Sequence, residues 1–289
     1  MIISKERIEA SICKDSFYEF VRTFWDVVIP EKPIWNWHIP YFCDELQEMA
    51  ELVFKGISKP YDLIINIPPG STKSTICSVM FPAWVWTRMQ SARIICGSHT
   101  APLALDLSRK SRLVVNSEKY KTLFPEVELA EDQQTKSYYV TKANGGRMAT
   151  MVGGAITGFH AHFIIIDDPL DPKKAASLAD LKSANDWMKE TLPTRKVDKE
   201  VSVTVLIMQR LHQDDPTGSW LERTKGKGIK HICLPGELSN YVKPVELKAM
   251  YKDGLLDPIR LSRKVLEQSA LELGPYGYAG QFDQTPTPR

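Results

Sequence analysis

The chain has 289 residues, 43% hydrophobic and 25% charged, the composition of a folded globular protein with room for one large domain or two ordinary ones. Disordered, collagen-like and low-complexity architectures are excluded. Thirty-seven Lys and Arg against 35 Asp and Glu leave a formal charge of +2, so nucleic acid is not held by bulk basicity and any contact with DNA is a local patch.

The start, MIISKERIEA, lacks the apolar centre of a secretion signal, and no apolar run approaches the ~20 residues of a membrane span. A soluble, cytoplasmic protein is expected. Ser4 to Phe24 carries Ile8, Ile12, Phe17, Phe20 and Phe24 at helical spacing, and Ile39 to Phe54 repeats the pattern up to Gly56, a plausible helix end. From Tyr61 short apolar runs alternate with helical stretches: Leu63–Ile67, Arg93–Cys96, Phe163–Ile166 and Val201–Met208 read as strands buried on both faces of a parallel sheet. Ser74–Met89, Ala101–Asn116 and Ala175–Thr191 read as the helices between them, a doubly wound α/β rhythm. Tyr138–Val140 and Met148–Val152 suit a hairpin or edge strands, and His231–Leu234 a further strand before Pro-punctuated helical pieces and a polar tail. Cys13, Cys43, Cys77, Cys96 and Cys233 are odd in number, scattered and mostly apolar in setting, which fits reduced thiols filling a core.

The chemistry concentrates at two strand ends. IPPGSTKST follows the first strand and opens a helix, the arrangement in which turn N–H groups of Gly70, Ser71 and Thr72 face an anion, Lys73 reaches the outer phosphates and a hydroxyl of Ser74 or Thr75 holds Mg²⁺. The pattern is degenerate: a GxxxxGK[ST] template would want glycine at Ile67 and Thr72. An ordinary strand-to-helix turn with a surface lysine accounts for it equally well. The second strand end is Phe163-Ile164-Ile165-Ile166-Asp167-Asp168-Pro169, where one carboxylate can orient Mg²⁺ and its neighbour can polarise water; a capping Asp is the bland alternative. Ninety-four residues separate Lys73 from Asp167. That leaves room for a further strand, Arg93–Cys96, between the two functional ones, as in ATPases with an additional catalytic strand. His160 and His162 invite a zinc reading, but no Cys or acid at ligand spacing accompanies them before Phe163.

WNWHIPYFCDEL, IPPGSTKST followed by FPAW, GGRMATMVGGAITGFHAHFIIIDDP and LIMQRLHQDD together resemble the large terminase subunit of tailed bacteriophages, from about residue 35 onward. The resemblance implies a P-loop NTPase fold with an additional catalytic strand, a mainly parallel sheet and a small helical lid. The expected division is an N-terminal helical segment with an adenine-binding motif (1–60), an ATPase core (61–230) and a lid with the start of a linker (231–289), the family's nuclease being absent from this chain. A degenerate Walker A sequence is usual in that family. By resemblance Lys73 binds the β- and γ-phosphates, Ser74 and Asp167 the Mg²⁺ of ATP, and Asp168 stands where relatives carry a catalytic glutamate. Arg147, in GGRMAT, matches a position where the family tends to carry arginine and is the candidate for a finger completing a neighbour's site, the more needed because the loop PPGST has no arginine; a solvated loop arginine is the alternative. Trp37 would stack on adenine and His38 bond its edge, although a Trp buried on the sheet is the alternative. Gln209 and Arg210 would sense the γ-phosphate and relay hydrolysis.

The implied partners are double-stranded DNA gripped without regard to sequence, a portal protein, a small terminase subunit and further copies of the chain in a ring on a procapsid, in the host cytoplasm and without a membrane. The lysines and arginines after Asp168 and after Met208 are interspersed with acids, so a solvated face explains most of them. Two other functions remain open on the residues alone. A helicase-like or repair ATPase would need a second motor domain, for which the residues after Lys230 are too few. A nucleotide-dependent scaffold without turnover would be expected to lack the acids at the end of the Walker strand.

Overall fold

The apolar runs between 62 and 233 fold as strands of one eight-stranded sheet, seen in a computed structural model that describes residues 4–287. The strands are β1 (Asp62–Asn66), β2 (Arg93–Ser98), β3 (Leu129–Gln134), β4 (Tyr138–Thr141), β5 (Gly146–Met151), β6 (Phe163–Asp167), β7 (Val203–Met208) and β8 (Ile229–Cys233), in the order β3-β4-β5-β2-β6-β7-β1-β8. Only β3–β4 and β4–β5 pair antiparallel; every other pair is parallel. Their side chains alternate between two cores, as a strand buried on both sides requires. Leu63, Ile65, Phe163, Ile165, Val205 and Ile207 enter one core, and Ile64, Ile164, Ile166, Leu206 and Met208 enter the other with Trp187, Met188 and Leu192.

The helices follow their capping signals. Ser4 caps α1 (Lys5–Asp15), Ser16 caps α2 (Phe17–Val28), and α3 (His38–Phe54) stops before Gly56, whose φ of +64° suits glycine. After β1 the chain winds as a π-helix over Thr75–Met80 into α4 (Phe81–Arg88), then come α5 (Ala101–Asn116) and α6 (Glu118–Leu123). Beyond β6 lie α7 (Leu178–Asp186), with a π-helical turn at Trp187–Thr191, and α8 (Pro216–Thr224), capped by Asp215. The last helix, α9 (Arg263–Gln281), breaks at Gly274 ahead of Pro275.

Four expectations need correction. The strand lying between β1 and β6 is β7, not Arg93–Cys96, which lies on the far side of β6. The 138–152 segment does form a hairpin, but β5 also pairs parallel with β2 and so sits inside the sheet; β3, too polar to read as a strand, is the edge. A boundary at 230 would cut β8, whose residues pair with β1 throughout. Helices α1 to α3 are not a separate unit, because Phe17, Phe20, Phe24, Phe42 and Leu46 share the core of Leu63 and Ile65. All five cysteines are free and buried. Among the described residues no helix is long and apolar enough to cross a membrane.

Candidate nucleotide-binding site

Parallel register brings the two chemical strand ends together. Asn66 pairs with Met208 and Asp167 with Ile207, so β1, β7 and β6 finish level at one sheet edge. Beyond β1 the chain turns at Gly70 (φ +77°), Ser71 Oγ donates to the Pro68 carbonyl at 2.8 Å, and Thr72 takes φ +66° before Lys73 and Ser74 lead into the helix. The template's missing glycine at 72 is thus a side-chain departure only. The backbone there adopts the left-handed conformation glycine would supply, and the Thr72 hydroxyl bonds the Ser71 carbonyl.

Lys73 is 6% exposed, and its Nζ lies 2.8 Å from Asp168 Oδ2. Burial disfavours its charge, but Asp168 and then Asp167 outweigh that and hold its pKa above the ordinary lysine value. Asp167 is 2% exposed. Its Oδ2 accepts from Ser78 Oγ at 2.8 Å, the Ser74 side chain lies near enough to favour the charged carboxylate, and Oδ1 has no partner among the described residues. Burial first and the adjacent Asp168 second push its pKa up to about 6, against Lys73 and the two serines. Asp168 is held at φ +45°. Its N–H donates to the Ile207 carbonyl, its Oδ1 accepts from the Gln209 N–H, and its own carbonyl accepts from the His99 N–H at 3.2 Å and lies 2.8 Å from His99 Nδ1.

The buried, unpartnered Asp167 Oδ1 beside a serine hydroxyl suits Mg²⁺, which takes one or two protein oxygens and fills the rest of its octahedron with water and phosphate. Thr75 opens the π-helical turn that follows Ser74.

No family model matches the sequence, and no curated protein does. Solved structures do. The large terminase of bacteriophage HK97 superposes with a TM-score of 0.53 at 15% identity, over 93% of this chain and 54% of that one. The ATPase domain of the Thermus phage P74-26 large terminase, solved as a point mutant, superposes with a TM-score of 0.55 at 10% identity, over 92% of this chain and 98% of that one. The fold is that of the phage large-terminase ATPase domain. The chain spans about half the length of the HK97 large terminase.

Within this terminase-type fold several expected site residues are engaged elsewhere. Arg147 is fully buried on β5 and donates from Nη2 to the Ser78 carbonyl at 2.8 Å, so it does not reach a neighbouring molecule. His38 is fully buried as well: its Nδ1 accepts from Asn36 at 2.7 Å and its Nε2 donates to the Ser71 carbonyl at 2.9 Å. Both ring nitrogens are used, and neither is left for a base edge. Trp37 is half-buried; its indole N–H donates to the Leu256 carbonyl and its ring packs against Tyr251. Arg210 grips Asp215 through Nε at 2.9 and 3.1 Å and its own loop's carbonyls through Nη2, which directs the guanidinium away from the role of phosphate sensor. Gln209 does lie at the site, with its N–H on Asp168 and its buried Oε1 unpartnered among the described residues.

Ser78, Asn36 and His99 went unread in the sequence. Ser78 stands one helical turn after Ser74 on the face toward β6, a spacing that could have pointed to it; Asn36 and His99 carried no signal.

Proposed function

We infer that this chain is the ATP-hydrolysing motor domain of a DNA-packaging terminase, moving double-stranded DNA into a procapsid. The observation that carries the reading is the cluster of Lys73, Ser74, Asp167 and Asp168 at one sheet edge, within a large-terminase ATPase fold. In this reading Ser74 and Asp167 would hold Mg²⁺, which would screen the phosphate charge of bound ATP. Lys73 exchanges its bond to Asp168 for one to the β- and γ-phosphates. That exchange frees the Asp168 carboxylate to orient water and accept its proton. The two steps are linked, because Asp168 becomes available only when phosphate has taken its lysine. Gln209, bonded to Asp168 from β7, is positioned to report the change along the strand. Portal protein, small subunit and further copies of the chain are the partners such a motor needs.

The test is nucleotide binding and turnover in two variants. Lys73→Ala is expected to lose ATP binding and hydrolysis with the fold intact, whereas Asp168→Asn should still bind Mg·ATP but turn it over at least a hundredfold more slowly, on the order of what a positioned base contributes. Wild-type ATP affinity in Lys73→Ala would overturn the P-loop reading, and undiminished turnover in Asp168→Asn would move the base elsewhere.

A further inference from the structure

The helix that follows the P-loop is irregular, and the side chains that bond its carbonyls lead to the metal-binding carboxylate. Thr75–Met80 is π-helical, with the Phe81 N–H donating five residues back to Ile76. Pro82 sits at the start of α4 and has no N–H for the carbonyl four residues before it, that of Ser78. Two side chains from outside the helix reach carbonyls of this turn. Ser111 Oγ on α5 donates to the Val79 carbonyl at 2.8 Å, and Arg147 Nη2 on β5 donates to the Ser78 carbonyl at 2.8 Å.

Arg147 is unusual among these partners. Its guanidinium is 0% exposed, and its Nε and Nη1 have no hydrogen-bond partner among the described residues. Burying a charge with so few bonds is costly, so a cation here needs a compensating role. The same Ser78 whose carbonyl it holds donates its hydroxyl to Asp167 Oδ2 at 2.8 Å. Cys96, on the strand between β5 and β6, feels both the Arg147 and the Asp167 charge.

We propose that Arg147 is a positioning residue for Asp167: by fixing the Ser78 carbonyl that Pro82 leaves free, it aims the Ser78 hydroxyl at one carboxylate oxygen and turns the other, Oδ1, toward the metal. This rests on the nucleotide reading of the site. The residue thereby acts within its own chain, on the ground state of metal binding.

The test follows the Mg²⁺ dependence of binding of a slowly hydrolysed fluorescent ATP analogue, with thermal melting measured alongside. Ser78→Ala removes one hydroxyl from a helix and is expected to raise the Mg²⁺ concentration for half-maximal binding about tenfold, the scale of a lost bond to a charged group. Metal-free binding should not change. Arg147→Lys, which keeps charge but loses the fork, should shift the Mg²⁺ requirement in the same direction. Adding Pro82→Ala should recover part of that shift, because alanine at this position brings the N–H that the Ser78 carbonyl lacks. Wild-type Mg²⁺ dependence in both Ser78→Ala and Arg147→Lys, whatever their melting temperatures, would overturn the inference. Wild-type protein that binds the analogue equally with and without Mg²⁺ would instead overturn the metal reading of Asp167, and the inference with it.

Discussion

Thr72 is a β-branched residue at φ +66°, a conformation that costs about 1 kcal/mol for a side chain of this kind. Thr72→Gly is therefore expected to melt at or above the wild-type temperature and to keep ATP binding, although it loses the hydroxyl bond to Ser71. A melting temperature several degrees lower would show that this bond outweighs the strain. The same residue explains why the P-loop reads as degenerate. A sequence template compares side chains, whereas what the template's glycine encodes is a dihedral angle, and this chain keeps the angle without the glycine. Lys73, Asp167 and Asp168 were legible because charged residues at the ends of apolar strands stand out. His38 was misread because nothing in WNWH distinguishes a ring facing a base from one bridging Asn36 and Ser71. Burial pushes the pKa of His38 down to about 4. The unfolded chain takes up that proton near pH 6.5 and the folded chain only near 4, so its contribution to stability is complete above 6.5 and is lost as pH falls, by at most ~3 kcal/mol. His231, pushed down to about 3, acts in the same direction, while Asp167 opposes both by favouring the folded state when protonated. Urea midpoints at about pH 7 and about pH 4.5, on either side of the histidine range, should fall less between the two for His38→Gln than for wild type.

Elements were legible in proportion to how apolar they are. β1, β6 and β7 are buried along nearly their whole length and stood out as unbroken apolar runs, as did α5 with its repeating leucines and valines. β3, LAEDQQ, offers an edge strand's polarity and no alternation that the eye can use. α9 contains Gly274 and Pro275, which read as a stop. The π-helical stretches share the composition of α-helices, so their different winding is invisible until tertiary contacts fix it. The segment after β7 is held by close backbone approach, which sequence does not display either. A Cβ on Gly280 of α9 would lie 2.8 Å from the Arg210 carbonyl, a backbone atom that cannot step aside. Gly280→Ala should thus push α9 off the Gln209–Leu211 segment and lower stability by about 1 to 3 kcal/mol. Calorimetric melting checks this, and an unchanged melting temperature would mean that α9 shifts freely.

At the scale of the whole molecule, one core extends from α1 to β8, and the site sits at the sheet edge where the carboxyl ends of β1, β6 and β7 converge. What the chain does alone follows from the charges it can bring there. Lys73 is paired with Asp168 at this edge, Arg147 is committed to Ser78, and Arg210 is committed to Asp215. Charge that develops on a γ-phosphate during hydrolysis exceeds what one lysine offsets, and an added arginine at such a site is worth on the order of 10³ to 10⁵ in rate. An isolated molecule is therefore expected to hydrolyse ATP slowly, with turnover per chain rising as protein concentration increases or as portal and DNA are added. A rise of this kind is the signature of a cation supplied by a surface residue of a neighbour. Because Arg147 is buried, mixing an Arg147→Ala chain with a Lys73→Ala chain should restore no activity through Arg147 in trans, and Arg147→Lys should leave the steepness of the concentration dependence unchanged. Restoration in the mixture would mean that β5 opens in the assembly and exposes this arginine. Turnover per chain that is flat across a roughly hundredfold range of concentration, and indifferent to DNA, would mean that the pocket of a single molecule is already complete.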